Sequence, residues 1–242
     1  MNKEDEKYLE NYNIHDYDVP LTSVDIVIFS IIEAQLSVLI VERNESPYKN
    51  KLALPGGFID LQRDKDIEAS AYRKLQEKTA VQSPYLEQVE TIGNRSRDLR
   101  GWSVTVLYYA LIDIEKAKQN HIQENSLQKT CWMTVEKALR TDLAFDHVLL
   151  LKKAQNRLSE KTRYTALPIE LMPKYFTLTE LQKTFEIILG KKLPVKSFRK
   201  RIVDANIVAA TNKSKLSGKR HAQLFTSTGV DRDYYFSRAL LL

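Results

Sequence analysis

Four residues between positions 66 and 80 have the types and spacing for chemistry: Arg73, Lys74, Glu77 and Lys78. A helix turns 100° per residue, so Lys74, Glu77 and Lys78 fall within one arc of its surface. That arc presents two ammonium groups and one carboxylate. It repels Mg²⁺, which takes anionic oxygen ligands, and it attracts phosphate, for which lysine is a point-charge partner. A decayed, solvated helix surface is the alternative; we adopt the phosphate-binding face that works without metal. Glu77 lies four residues after Arg73, the spacing of a helix ion pair that contributes about 0.3 to 0.5 kcal/mol. It is therefore read as a paired carboxylate, not a general base. Arg43, Arg97 and Arg100 carry guanidinium forks suited to a diphosphate, and Phe58 or Trp102 offers an aromatic face for a base. Trp102 begins a strand and is equally suited to a core. The expected ligand-binding set is Arg43, Phe58, Arg73, Lys74, Glu77, Lys78, Arg97, Arg100 and Trp102, with no catalytic residue, metal or cofactor. His147 either reads a ligand hydroxyl or serves the start of a helix, the structural role being preferred. His15, His121 and His221 have no metal-ligand spacing with one another or with Cys131.

A second constellation is basic. From position 161 onward the chain has 16 Lys and Arg against 6 Asp and Glu, while the preceding part has 21 against 25. A net of +10 joined to a net of −4 suggests a nucleic-acid module attached to another domain. Within it, Lys196, Arg199 and Lys200 share the helix face opposite Phe198, Ile202 and Ala205. The expected DNA-binding residues are Lys196, Ser197, Arg199 and Lys200 on this helix, and Lys219, Arg220 and His221 on a following wing.

The elements that must position these groups are legible in outline. Residues 21–32 and 36–42 form paired strands, Leu54-Pro55-Gly56-Gly57-Phe58 turns the chain, and a helix covers 66–80. Segments 85–95 and 102–112 are further strands, whereas 132–140 and 145–159 read as helices, a mixed α/β arrangement. Pro168 and Pro173 follow the polar run 159–163, so domains of 1–160 and 161–242 are expected. Thr177 and Glu180 have capping-box spacing, Phe176 and Leu181 can staple the helix start, and Gly190 supplies its C-cap. A helix over 178–189, a second over 194–205 and a hairpin of 207–211 with 223–225 make a winged helix-turn-helix.

Composition excludes several classes. The apolar stretches VDIVIFSII and VTVLYYALI are too short to span a bilayer, and the charged N-terminus is no signal peptide. One cysteine, Cys131, forms no internal disulfide framework and is expected as a small buried residue in a reducing cytoplasm.

Together these strings resemble a family. The LPGGF turn, the degenerate run RKLQEKTAV, Arg97-Asp98-Leu99-Arg100-Gly101-Trp102, Phe145-Asp146-His147, FTLTELQKTFEIILG and SFRKRI are similar to the Nudix-related transcription regulators of the NrtR type, over about 22–225. In a hydrolase the box would carry carboxylates at positions 74 and 78, so the resemblance implies a retained scaffold with lost chemistry. The loop from Gly57 to Arg73 is also two positions longer than the usual box, with Lys65 at the place of its earlier glutamate. The resemblance implies an α/β (α+β) Nudix-like sandwich followed by a small winged helix. It implies a homodimeric, cytoplasmic repressor of NAD or related metabolism that binds double-stranded operator DNA and responds to ADP-ribose or a similar phosphate-bearing effector. The rival readings are a Mg²⁺-dependent ADP-ribose pyrophosphatase and a regulator sensing a pentose or sugar phosphate.

Overall fold

The computed structural model describes residues 1–79, 85–115, 129–217, 220–229 and 234–240. After an N-terminal helix α1 (Lys3–Asn11), the chain forms strands β1 (Leu21–Ile32), β2 (Gln35–Glu42), β3 (Leu52–Ala53) and β4 (Gly56–Phe58), then helix α2 (Ile67–Thr79). Strands β5 (Tyr85–Asn94), β6 (Ser103–Leu111) and β7 (Thr130–Thr134) follow, then helices α3 (Val135–Leu139) and α4 (His147–Thr162). The sheet runs β3-β2-β1-β6-β5, with β4 added to β1 and β7 to β2. The central pair β1 and β6 is parallel, from Leu21 opposite Ser103 to Phe29 opposite Leu111.

Strand β1 is apolar on both faces because both are covered. Val24, Ile26 and Ile28 pack with Ala71 and Leu75 of α2, whereas Val27 and Phe29 pack with Leu150, Leu151, Ala154 and Leu158 of α4. Each fully buried Val, Leu, Ile or Phe among them contributes about 1.5 to 3 kcal/mol. The same alternation puts Asp25 on the α4 side, where apolar packing ends and a cleft begins.

The basic module contains α5 (Leu178–Leu189), α6 (Val195–Asp204) and the hairpin β8 (Val208–Ser217) with β9 (Arg220–Ser227). Its core gathers Phe176, Leu181, Phe185, Phe198 and Ile202. Both halves of the Thr177 and Glu180 capping box form, and Gly190 ends α5 at φ 65°, a left-handed value that suits glycine. Ile188 of α5 joins Leu167 and Leu171 in the core beneath α4, so the helix that leaves the sheet also packs on the basic module.

Three expectations need correction. Residues 132–134 belong to strand β7, not to the start of a helix over 132–140, because Trp132 and Met133 pair with Leu39 and Val38; Thr134 then caps a short helix. Cys131 is exposed, near the start of β7, whose only strand partner among the described residues is β2. The hairpin is longer and tighter than expected: the basic run after Thr211 belongs to β8, and the two strands pair as far as Ser217 with Arg220.

Candidate functional site

A cleft of about 870 Å³ opens between the β4 turn, α2 and the loop joining β5 to β6. The turn can approach the sheet because its residues are glycines. A Cβ on Gly56 would lie 2.3 Å from Asp25 Oδ1 and 2.6 Å from the Val24 carbonyl, and one on Gly57 would lie 2.9 Å from Lys74 Cε. Lys74 is thereby laid across the mouth of the turn.

On the α2 wall the carboxylates are already matched to cations. Asp64 accepts from Arg73 Nε at 2.7 Å and from a second Arg73 nitrogen at 2.6 Å, and its side chain is 1% exposed. The Arg73 guanidinium holds the Asp64 carboxyl well below the usual range. Glu77 accepts from Arg73 at 3.1 Å and from Lys74 at 3.2 Å. Burial pushes the Glu77 carboxyl up, but Lys74 and Arg73 together outweigh it and hold it down. Lys78 is pulled below the ordinary lysine value, chiefly by burial and further by Lys74. Among the described residues no three His, Cys, Asp or Glu side chains converge as a metal site requires.

The floor is a buried charge network. Arg97 donates to Asp25 at 3.2 Å and twice to Asp146 at 3.2 Å. Asp146 precedes α4 yet makes no capping hydrogen bond from its side chain, because its carboxylate faces Arg97. His147 Nδ1 accepts the Leu54 N–H at 2.9 Å, and its Nε2 lies 3.6 Å from Asp25 Oδ1. Burial lowers the His147 pKa against the pull of Asp25, so the ring is neutral with its proton on Nε2.

The rim pairs cations with aromatic faces. Arg100 is held by Asp98 at 2.7 Å and sits 4.7 Å from the Phe58 ring centroid; Arg43 sits 4.7 Å from that of Phe145. Burial, reinforced by the charge of Arg100, lowers the Arg43 pKa, so an anion between them would relieve their repulsion. Phe145 adopts φ 56°, a left-handed value costly for a bulky residue, and that backbone turns its ring into the cleft.

The structure therefore gathers Arg43, Phe58, Arg73, Lys74, Glu77, Lys78, Arg97 and Arg100 around one cleft. Trp102 is not among its lining residues; it lies across Gly93 of the neighbouring strand and is 46% exposed. Asp25, Asp64, Asp98, Asp146 and Phe145 were missed as site residues. Asp25 left a signal as a charge interrupting an apolar strand, and Asp98, Phe145 and Asp146 lie inside strings that carry the family resemblance.

On the basic module, Lys196, Ser197, Arg199 and Lys200 are exposed on α6. Arg199 donates to Thr179 Oγ1 at 3.0 Å, and Lys200 pairs with Asp204 at 2.7 Å. His221 is exposed, 3.3 Å from Ser214 Oγ. Arg220 opens β9, and Lys219 lies outside the described residues.

Comparison with known proteins reproduces this division. The family model of the NUDIX domain matches residues 21–154, and that of the NrtR DNA-binding winged helix domain matches residues 168–226. The chain is 52% identical over 236 residues to an ADPR responsive transcriptional repressor of Acinetobacter baylyi, covering 98% of this chain and 93% of that protein. It is similar to Shewanella oneidensis NrtR solved in complex with a 27mer DNA, with TM-score 0.84 and 41% identity over 90% of this chain and 99% of that one. The NUDIX domain of the same Shewanella protein, solved in complex with ADP ribose, is 42% identical with TM-score 0.57, over 65% of this chain and 99% of that one.

Proposed function

Because the chain belongs to the NrtR family of regulators, we propose that it is an ADP-ribose-responsive transcriptional repressor whose sensor domain, 1–160, controls a winged helix, 161–242. The protein acts as a homodimer on double-stranded operator DNA. The observation that carries the sensing half is the state of the cleft carboxylates: Asp64 and Glu77 are both engaged by Arg73, and Lys74 also engages Glu77. Recruiting Mg²⁺ there would require breaking these pairs, so the cleft binds a phosphate-bearing effector without hydrolysing it. Lys74, Arg43 and Arg100 meet the diphosphate, and Phe58 and Phe145 flank the slot. Arg97, facing Asp25 and Asp146, supports the floor from below.

Coupling follows α4. Its N-cap, Asp146, and its first residue, His147, belong to the cleft floor. Its far end, at Lys161, is fixed to the sheet by Glu87 and then leads into the turn Leu167–Leu171, which packs on α5. The C-terminal segment strengthens that connection: Phe236 N–H donates to the Tyr164 carbonyl at 2.8 Å, and Arg201 of α6 donates to the carbonyls of Arg238 and Ala239 at 2.9 Å. An effector that shifts the floor thus moves a rigid helix seated against the DNA-binding module.

The test measures affinity for a duplex recovered by in vitro selection, with and without ADP-ribose, and then ADP-ribose affinity with and without duplex. Coupling is reciprocal, so a tenfold loss in one must appear as a tenfold loss in the other, about 1.4 kcal/mol. Operator affinity unchanged by saturating ADP-ribose, with ADP-ribose demonstrably bound, removes the switch.

A further inference from the structure

A second basic site lies on the winged helix, between the bulged strand β8 and the segment that precedes α5. Strand β8 bulges: Ala210 pairs with Phe225, but the next paired residue, Ser214, lies opposite Gln223, leaving Thr211, Asn212 and Lys213 against Leu224 alone. The bulge is stapled from across the hairpin. The Gln223 side-chain amide donates to the carbonyls of Thr211 and of Lys213, the latter at 3.2 Å, and Thr211 Oγ1 donates to the Leu224 carbonyl at 2.8 Å. Bulges re-aim the side chains they carry. This one places Lys213 Nζ 4.1 Å from the centroid of the Tyr175 ring. Lys174 Nζ lies 5.6 Å from the same ring.

Tyr175 is itself anchored to the hairpin, because its neighbour Phe176 exchanges backbone hydrogen bonds with Phe225 at 3.0 and 2.7 Å. No carboxylate among the described residues pairs with Lys174 or Lys213. By contrast, Lys215 on the same strand is matched by Glu180 at 2.9 Å and Lys200 by Asp204. Two ammonium groups without a carboxylate partner among the described residues, and the phenol of Tyr175, which Lys213 also hydrogen-bonds, are thus gathered by a built backbone irregularity. They stand just before α5, whose second residue, Thr179, accepts from Arg199 of α6. The N-terminal end of α5 adds its positive dipole to the same surface.

We propose that Lys174, Tyr175 and Lys213 form a site for a phosphate of the DNA backbone, which sets the register of α6 on the duplex without reading sequence. This rests on the DNA-binding function proposed above. Lysines and a phenol hydroxyl are the donors that phosphate contacts use, and such contacts position a protein rather than specify bases.

The test compares the full-length protein with Lys213→Ala, Tyr175→Phe, Gln223→Ala and the control Lys152→Ala, an exposed lysine on α4. Affinity is measured by fluorescence anisotropy from 0.05 to 0.2 M salt, on a mixed-sequence duplex and on a duplex recovered by selection. Loss of one phosphate contact lowers the salt slope by about 0.9, so the wild-type advantage over Lys213→Ala shrinks about three- to fourfold across this range. The loss should be equal on both duplexes. Tyr175→Phe should weaken both with little change in slope. Gln223→Ala, which removes no charge, should reproduce the Lys213→Ala loss by freeing the bulge. Lys213→Ala matching the wild-type slope, or lowering it no more than Lys152→Ala does, overturns the site. So does a Gln223→Ala protein indistinguishable from wild type. If the wild-type protein binds neither duplex, the DNA-binding function itself fails, a result distinct from both.

Discussion

Glu87 is the residue whose removal should cost the sensor domain most. Its carboxylate, 13% exposed, accepts from Lys161 Nζ at 2.5 Å, from Arg157 Nε at 2.9 Å, from the Tyr109 hydroxyl at 2.9 Å and from the Tyr85 hydroxyl. Burial pushes the Glu87 carboxyl up, but the hydrogen bonds from Lys161 and the two tyrosines hold it below its ordinary value. Lys161 is affected in the mirror sense: burial pulls it down, and Glu87 and Tyr85 raise it above the usual lysine range. Burial and the Glu87 carboxylate push the Tyr85 hydroxyl up to about 12. Glu87→Leu removes the carboxylate that the 7% exposed Lys161 ammonium, Arg157 and two tyrosine hydroxyls share, a loss of about 3 to 5 kcal/mol. In a chain of this size that corresponds to roughly 6 to 20 °C in Tm. Lys161→Met should cost only about 1 to 3 kcal/mol, because Glu87 keeps Arg157 and two hydroxyls. The double variant should recover part of the sum, with a coupling of about 0.5 to 3 kcal/mol. Urea unfolding followed by far-UV circular dichroism measures all four proteins. A depressed carboxyl stabilises above its unfolded pKa and a raised ammonium stabilises below its own, so the contribution is full between the ordinary values of 4.5 and 10.5. It is lost below that window through Glu87 and above it through Lys161. Strict additivity at pH 7, or a Glu87→Leu loss under about 1 kcal/mol, would refute the reasoning.

Three further outcomes are expected. Purified protein with Mg²⁺ or Mn²⁺ should turn over ADP-ribose no faster than Glu77→Gln, since Glu77 is held by Arg73 and Lys74; metal-dependent hydrolysis abolished by that substitution would show an active enzyme. Arg199→Ala should weaken binding to a selected operator by about 1 to 3 kcal/mol more than binding to random duplex if Arg199 reads a base; equal weakening on both assigns it to phosphate. His147 has a lowered folded pKa, so the unfolded chain binds more protons below about pH 6.5 and stability falls there by up to about 1.4 kcal/mol per pH unit. His147→Asn should remove that slope in urea titrations from pH 7 to 5.5, and identical slopes in the two proteins would exclude His147 as its source.

Local signals carried far in this chain. The Thr177 and Glu180 box, the Gly190 cap, the apolar face of α6 and the arc of Lys74, Glu77 and Lys78 all depend on contacts within a few residues, which periodicity and capping chemistry encode directly. Doubly covered strands and the basic bias after residue 160 were legible for the same reason: burial and charge are written in composition. Where local rules competed, they failed. Residues 132–134 read as helix, but β2 offers them a pairing edge, and the wing was shortened because a bulge held by Gln223 looks in sequence like a polar loop. Tertiary structure alone decided which charges meet. Arg97 finds Asp25 across 72 residues and Asp146 across 49, and Lys161 finds Glu87 across 74. No spacing rule reaches those distances; the partners are set by sheet register and by the seat of α4. The sequence thus determined which side chains carry charge on a common helix face. The fold decided which of them are already neutralised by a buried partner and which still line the cleft, because that depends on the position of every opposite charge in space.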